Sequence, residues 1–286
     1  MADVRLSSIR LIAIDIDGTV LQDDHESMSA ADRAALLEAV SAGVEIVWAT
    51  GRAWHGIPDV IKSLQAAHRV ITSNGAATRS WPDGRLLRLV PLPTPKALSV
   101  LGVAVEQEGH PVVFCDGKAN VLAADKDCDA EVFGCDVPVA HRLQQTVVDD
   151  LGDLIRANEG LVEKIDFSPA GTTSLAAISA RLEAMDVTPS ESGLGRVEVT
   201  ALGVDKGSAL RRLCESLGVP ASQVMAIGDG SNDIAMLRWA GVGVAMGNAG
   251  AIVQGSADVV APGNREDGVA WAIRHIALGH RPSASS

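Results

Sequence analysis

Arg10-Leu11-Ile12-Ala13-Ile14-Asp15-Ile16-Asp17-Gly18-Thr19 passes from a continuous apolar run to two carboxylates and a glycine. The apolar run predicts a strand buried on both faces, as in a parallel sheet. The two carboxylates leave its carboxyl end one residue apart, and Gly18 permits a tight turn, so both can face one pocket. Such neighbours repel and need a cation or a raised pKa. Mg²⁺ fits, because it prefers hard oxygen ligands and keeps positions open for water and phosphate. Taken alone, the pentapeptide Asp15 to Thr19 also suits a helix cap or an Asx turn.

Working outward, Val44 to Ala49 and Val70 to Thr72 predict further buried strands, ending at Thr50-Gly51-Arg52 and Ser73-Asn74-Gly75. Helices are expected over Asp32 to Val40 and Ile57 to Ala67. The same alternation returns near the end of the chain. Helices are expected over Lys206 to Leu217, Asp233 to Trp239 and Glu266 to Ala277, and strands over Val224 to Ile227, Val242 to Ala245 and Ala257 to Val260. This pattern predicts an α/β fold with a doubly wound, parallel-sheet, Rossmann-like core.

The middle of the chain has another texture. Trp81-Pro82-Asp83-Gly84-Arg85 is a turn, and Pro91, Pro93 and Pro95 punctuate the next connection. Helices are expected over Ala97 to Glu108, Leu143 to Ala157 and Thr173 to Met185. A hairpin is expected over Val112 to Cys115 and Ala119 to Leu122, and strands over Val162 to Phe167 and Arg196 to Thr200. Hairpins mixed with helices predict an inserted α+β domain. Residues 1–80 and 196–286 are assigned to the core, and residues 81–195 to a cap over its site. The tail from Gly279 is small and polar and is expected to fray.

Composition narrows the partners. In 286 residues, 36 Asp and Glu outnumber 24 Lys and Arg, for a formal net charge of -12, which repels a nucleic-acid backbone. Aromatic residues make up 3 %, with no Tyr, which argues against a base-stacking surface. Trp54, Trp81, Trp239 and Trp271 are expected to pack rather than to bind. No apolar run reaches the ~18 residues of a membrane span, and the N-terminus lacks a secretory pattern, so a cytoplasmic protein is expected. Cys115, Cys128, Cys135 and Cys214 form no C-x-x-C pair, which predicts reduced thiols rather than a zinc site.

A second acidic group, Gly228-Asp229-Gly230-Ser231-Asn232-Asp233, comes after the strand Val224 to Ile227. Its glycines do not make G-x-G-x-x-G, and its acids would repel a pyrophosphate. A helix N-cap by Asn232 or Asp233 is an alternative, but two acidic groups at two strand ends favour a shared metal. The Thr50 hydroxyl and the Gly51 N–H are able to hold a phosphate oxygen, or to form a plain strand-end turn. Lys206 opens a helix, where lysines are disfavoured, so it binds an anion or lies solvated on the surface.

These four patterns, in this order and spacing, resemble the haloacid dehalogenase-like superfamily over nearly the whole chain. Within it, the chain resembles the Cof-type sugar-phosphatase branch. Supporting segments are Ser73-Asn74-Gly75-Ala76, Gly203-Val204-Asp205-Lys206-Gly207, Gly243 to Ala249 and Asn264 to Ala270. The resemblance implies that Asp15 is a nucleophile forming an aspartyl-phosphate and that Asp17 is the general acid and base. It implies that Asp15, the Asp17 carbonyl and Asp229 hold Mg²⁺, with Asp233 orienting them from behind. Thr50, Gly51, Asn74, Lys206 and Asn232 would bind the phosphate or substrate.

About 30 residues separate Asp17 from Thr50, too few for an inserted domain. More than about 100 separate Asn74 from Lys206, so the resemblance implies a large α/β cap there. Ala201 and Ala53 to His55 depart from relatives, which often carry Pro in these loops. In the cap, Asp116, Lys118, Ser190 and Glu198 are candidates near the substrate, with a solvated or structural role favoured for each.

The expected function is a Mg²⁺-dependent phosphatase on small phosphomonoesters, chiefly sugar phosphates, with pyridoxal phosphate and flavin mononucleotide as further candidates. The alternatives are a phosphomutase on the same scaffold and a non-catalytic phosphate-ligand-binding protein. The expected partner is a small phosphorylated metabolite, and the expected state a monomer or homodimer.

Overall fold

A computed structural model describes residues 9–125, 145–191 and 195–279. Two sheets organise them. The first has eight strands, β1 (Leu11–Ile14), β2 (Glu45–Ala49), β3 (Ala67–Thr72), β4 (Ala77–Ser80), β5 (Leu86–Leu89), β12 (Val224–Gly228), β13 (Val242–Ala245) and β14 (Val259–Val260). Their order across the sheet is β14-β13-β12-β1-β2-β3-β4-β5. Pairing is parallel from β14 to β3, and β4 and β5 add antiparallel at one edge.

Strand β1 lies centrally, fully buried, with Ile14 beside Ile227 of β12 and Trp48 of β2. The carboxyl ends of β12, β1 and β2 are therefore neighbours. Alternate side chains of β1 feed two cores. Ile12 and Ile14 join Trp48 and Leu36 on one face, while Leu11 and Ala13 join Leu210, Leu213 and Leu237 on the other.

The first core is covered by α1 (Ala30–Ser41) and, near the C-terminus, α9 (Gly268–Ala272). The second is covered by α6 (Lys206–Leu217) and α7 (Ile234–Trp239). Ser29 caps α1 by accepting from the Asp32 N–H at 3.0 Å.

The second sheet has six strands, β6 (Val112–Cys115), β7 (Lys118–Leu122), β8 (Gln145–Val148), β9 (Val162–Phe167), β10 (Val187–Glu191) and β11 (Val197–Ala201). Their order is β10-β11-β9-β6-β7-β8. The sheet is antiparallel except for β7 with β8. Ile165, Phe167, Val113 and Val199 pack under α3 (Thr94–Glu106), α4 (Leu151–Ala157) and α5 (Leu175–Glu183). On the opposite face, Val112 and Phe114 pack with Ala53, which lies just beyond β2.

Several expected elements differ. The chain passes between sheets after β5 and after β11, so Leu86–Leu89 belongs to the first sheet and Val197–Ala201 to the second. Each crossing falls later than the expected boundaries at residues 81 and 196. The expected helix from Ile57 to Ala67 contracts to α2 (Asp59–Lys62) after Pro58, and Ala67 already opens β3. In the expected helix from Leu143 to Ala157, Leu143 lies outside the described residues and Gln145–Val148 is a strand, as Thr146, Val147 and Val148 favour. Helix α4 starts only after Asp150, which accepts from the Asp153 N–H at 2.7 Å. Strand β10 was not expected; it lies at the sheet edge, where its Pro189 is tolerated. The short helix α8 (Ala251–Gln254) was also not expected. Cys128 and Cys135 lie outside the described residues. Cys115 and Cys214 are buried and unpaired, and burial pushes their thiols up to about 11 and about 12.

Packing around two helical glycines gives opposite expectations for the same substitution. Gly102 in α3 has open space where a Cβ would sit, so Gly102→Ala should stabilise by up to about 1 kcal/mol. At Gly207 in α6 a Cβ would lie 2.5 Å from the Ala235 backbone, so Gly207→Ala should destabilise by about 1–3 kcal/mol despite alanine's helix preference. Urea titrations of both variants check the signs.

Stability should also depend on pH through Asp32. This residue is fully buried and accepts from the Ala270 N–H at 2.7 Å, and burial pushes its carboxyl up to about 6. The folded state thus binds this proton more tightly than the unfolded chain does, and its stabilising effect is lost as pH rises from about 4 to about 6. Asp32→Asn should therefore gain about 1–3 kcal/mol on the wild type over that window and show a constant difference above it, as denaturant titrations at stepped pH would read.

Candidate active site

The site is assembled at the carboxyl ends of β1, β2 and β12. The Asp15 N–H donates to Ile227 O at 3.0 Å, holding the first loop against β12. Gly18 has φ +71°, and a Cβ there would lie 2.3 Å from Asp229 Oδ2, so only glycine lets the two acidic loops close. Thr19 Oγ1 donates to Asp229 Oδ1 at 2.8 Å, and Asn248 Nδ2 donates to Gly18 O at 2.8 Å.

Lys206 is the first residue of α6, behind the N-cap Asp205. Its ammonium donates to Asp15 Oδ1 at 2.6 Å and Asp233 Oδ1 at 2.7 Å. Two buried carboxylates thus explain a lysine at a helix start. The close approach of Gly207 to α7 brings that helix start down to Asp233. Asp233 Oδ2 accepts from the N–H groups of Asp229 at 3.0 Å and Gly230 at 2.9 Å.

Charge in this cluster is unbalanced. Asp15, Lys206 and Asp233 are 5 %, 1 % and 0 % exposed, so water screens them little. Burial, then Asp233, pushes the Asp15 carboxyl well up, and Lys206 offsets only part of this. Burial and Asp233 push Asp229 up to about 7, against the hydrogen bond from Thr19. Burial acts to lower the Lys206 pKa, but Asp15 and Asp233 outweigh it and hold the ammonium charged. One cation faces three carboxylates. Oxygens of Asp15, Asp229 and Asp233 lie within 4.8 Å of one another, a donor set that fits a hard divalent cation.

Asp17 turns to a different partner. Arg52 grips it in a fork, with Nε 2.7 Å from Oδ2 and Nη2 on Oδ1, and His25 Nδ1 lies 3.0 Å from Oδ1. Thr50 is fully buried and its hydroxyl accepts from the Arg52 N–H at 3.1 Å.

Ser73 and Asn74 both adopt left-handed backbone, φ 51° and 54°. Asn74 Oδ1 accepts from Asn232 Nδ2 at 3.1 Å, and Asn74 Nδ2 donates to Glu198 Oε2. A Cβ at Gly51 would lie within 3.0–3.6 Å of Asn74, Glu198 and Asn232, so these three surround its backbone.

The residues singled out from sequence thus form two joined groups, Asp15, Asp229, Asp233 and Lys206, and Gly51, Asn74 and Asn232. Thr50 and Asp17 are linked through Arg52. Of the four cap candidates, Glu198 reaches Asn74, and Ser190 donates to the Glu198 carbonyl at 3.5 Å. Asp116 and Lys118 are exposed at the β6–β7 turn.

Arg52, Thr19 and Asn248 were missed, because their partners are distant in sequence, and His25 was missed although Asp17 is only eight residues away. Glu163 was missed too; it accepts from Ser73 Oγ, from Arg79 Nη2 at 2.8 Å and from the Gly117 N–H at 2.8 Å. Glu163 and Lys164, charged residues inside the fully buried strand β9, were the available signal.

Fold and cluster define a capped α/β hydrolase with an acidic site at its strand ends. The family model for haloacid dehalogenase-like hydrolases matches residues 12–273, and the chain belongs to that family. It is 33 % identical to a 5-amino-6-(5-phospho-D-ribitylamino)uracil phosphatase of Bacillus subtilis, with 94 % of this chain and 96 % of the relative covered. It is 27 % identical to the pyridoxal phosphate phosphatase of Escherichia coli, covering 92 % and 97 %. A solved haloacid dehalogenase-like hydrolase from B. subtilis superposes with a TM-score of 0.82 at 29 % identity, covering 94 % of this chain and all of that one. The chain is a phosphomonoesterase of this family, whose phosphatases generally use a divalent metal. Among the described residues, no helix is long and apolar enough to cross a membrane.

A divalent cation that binds only the folded acidic cluster should raise the melting temperature, by about 5 °C or more at a hundredfold excess over Kd. Asp229→Asn and Gly18→Ala should lose that increment. Thermal melts with metal or with EDTA read it directly, and an unchanged increment in Asp229→Asn would put the metal elsewhere.

Proposed function

We propose that the chain is a Mg²⁺-dependent cytoplasmic phosphatase that hydrolyses small phosphomonoesters, chiefly sugar phosphates, through an aspartyl-phosphate on Asp15. The observation that carries this reading is the buried Lys206 ammonium on Asp15 Oδ1, which leaves Oδ2 as the attacking oxygen. Oδ2 bonds to phosphorus as the ester P–O bond breaks, and the electron pair leaves on the alkoxide oxygen. Asp17 gives that oxygen a proton. Water then attacks phosphorus and returns a proton to Asp17, while the bond to Oδ2 breaks and releases inorganic phosphate.

Lys206, the Thr50 hydroxyl, the Gly51 N–H and Asn232 bind the transferring phosphoryl oxygens, and Asn74 holds Asn232 in place. Arg52 and His25 keep the Asp17 carboxyl directed. Asp15, the Asp17 carbonyl and Asp229 would hold Mg²⁺. Asp233 would orient them, since its oxygens are engaged by Lys206 and by the N–H groups of Asp229 and Gly230. When bound, Mg²⁺ supplies positive charge against the phosphoryl oxygens. The second sheet and its helices form the cap that shields this chemistry from bulk water. The phosphorylated small molecules named for the two relatives support the substrate class.

The test is phosphate release from a panel of phosphomonoesters, with Mg²⁺ or EDTA, for wild type and Asp15→Asn. Release should require the metal and fall at least about 10³-fold in the variant. Release that persists in the variant would remove Asp15 as nucleophile, and an isomerised sugar phosphate as product would mark a mutase.

A further inference from the structure

Strand β9 carries a buried carboxylate that the phosphoryl chemistry does not use. Glu163 has no opposite residue on β6, because the register there passes from Phe114 beside Lys164 to Cys115 beside Val162. Such a bulge re-aims a side chain. Val162 and Ile165 stay in the core under the cap helices, and Glu163 reaches across to the first sheet. Its partner Arg79 also sits at a register shift, where β4 meets β5.

Three donors converge on this carboxylate. Arg79 Nη2 and the Gly117 N–H each donate to Oε1 at 2.8 Å, and Ser73 Oγ donates to Oε2. Glu163 and Ser73 are 0 % exposed and Arg79 is 5 % exposed. A buried ion pair adds little to stability over packed apolar residues. Arg79 Nε is also buried with no hydrogen-bond partner, a further cost. What the arrangement does supply is a fixed acceptor for Ser73.

That residue needs to be held. Ser73, Asn74 and Gly75 have φ of 51°, 54° and 98°, and left-handed backbone that bears a side chain persists only where its surroundings over-determine it. Much of the site hangs on this turn. The Ser73 N–H donates to Arg52 O at 2.9 Å and the Asn74 N–H to Thr50 O at 3.2 Å, which pins the Thr50-Gly51-Arg52 loop. Asn74 Oδ1 accepts from Asn232. A Cβ at Gly75 would lie 2.2 Å from Asp205 O, so the turn also rests on the residue that caps the helix opened by Lys206.

We propose that Glu163 is a positioning residue for phosphoryl transfer, acting through Ser73. It holds the turn in left-handed backbone, and the turn sets the Thr50 hydroxyl and the Gly51 N–H against the transferring group. This rests on the phosphatase reading. Donors of that kind work on charge that develops in the transition state, and a small misplacement costs rate more than ground-state binding.

The test is steady-state hydrolysis of p-nitrophenyl phosphate with Mg²⁺ by the full chain, well below the melting temperature of each variant. Ser73→Gly removes the hydroxyl, while glycine enters left-handed backbone freely, so its melting temperature should stay near that of the wild type. Its kcat should fall at least about tenfold and its KM change less than about threefold. Glu163→Gln is the conservative variant. Its Oε1 still accepts from Arg79 and Gly117, and its amide donates to the Ser73 oxygen, so it should keep at least about half of the wild-type kcat. Its melting temperature should nevertheless fall, because Arg79 is left buried without a counter-charge.

A role in stability alone predicts the reverse, with activity following melting temperature across the two variants, and that result would overturn the proposal. Unchanged kcat in Ser73→Gly would overturn it whether or not Glu163→Gln folds, as would a loss confined to KM. Failure of the phosphatase reading would show separately, as absent phosphate release by the wild type, and would remove this inference with it.

Discussion

The Lys206 ammonium between Asp15 and Asp233 is the contact on which the site's geometry rests. It joins the first strand, the start of α6 and the loop after β12, three pieces remote in sequence. Remove its charge and two carboxylates face each other in a place that water does not reach. It also holds Asp233, whose other oxygen accepts from the N–H groups of Asp229 and Gly230 and so fixes their backbone path. Its single charge does not balance the cluster. One cation among three acids leaves a demand that a divalent ion fits, and such an ion would bring this cluster to neutrality within a chain of net charge -12.

A second set of polar contacts ties the two sheets together. Glu163 of β9 reaches Ser73, Arg79 and Gly117, while Glu198 of β11 reaches Asn74. Ser73 and Asn74 are held in left-handed backbone, which residues with side chains enter at a cost. The cap's carboxylates meet this turn directly. The floor around Gly51 is thus shaped from both sheets, and the cap is part of the site's wall as well as its cover.

The parallel sheet was legible because its strands are short apolar runs ended by polar, glycine-bearing turns. Asp15, Asp229 and Lys206 stand at such ends or at a helix start, where position alone marks them. What was not legible depends on partners far along the chain. The Arg52 fork on Asp17 and the reach of Lys164 to Glu198 have no local signature. The edge elements β8 and β10 were missed for another reason: the β-branched run at residues 146–148 falls inside an expected helix, and β10 carries Pro189, which a strand holds only at an edge. Strands β5 and β11 show the remaining limit. The local sequence of each suits a strand, but which sheet it joins is decided by pairing.

The pairing of Leu11 with Val224 sets an order of events during synthesis. Strand β1 is made first, yet one of its two neighbours is made some two hundred residues later. Until β12 leaves the ribosome, one edge of a wholly apolar strand has no partner, and such edges invite aggregation. The intervening chain has its own sheet and its own buried core, so it has the means to fold while β1 waits. The strand that leads to Asp15 is therefore committed early and completed late, and the whole acidic cluster comes into being only when the last third of the chain has emerged.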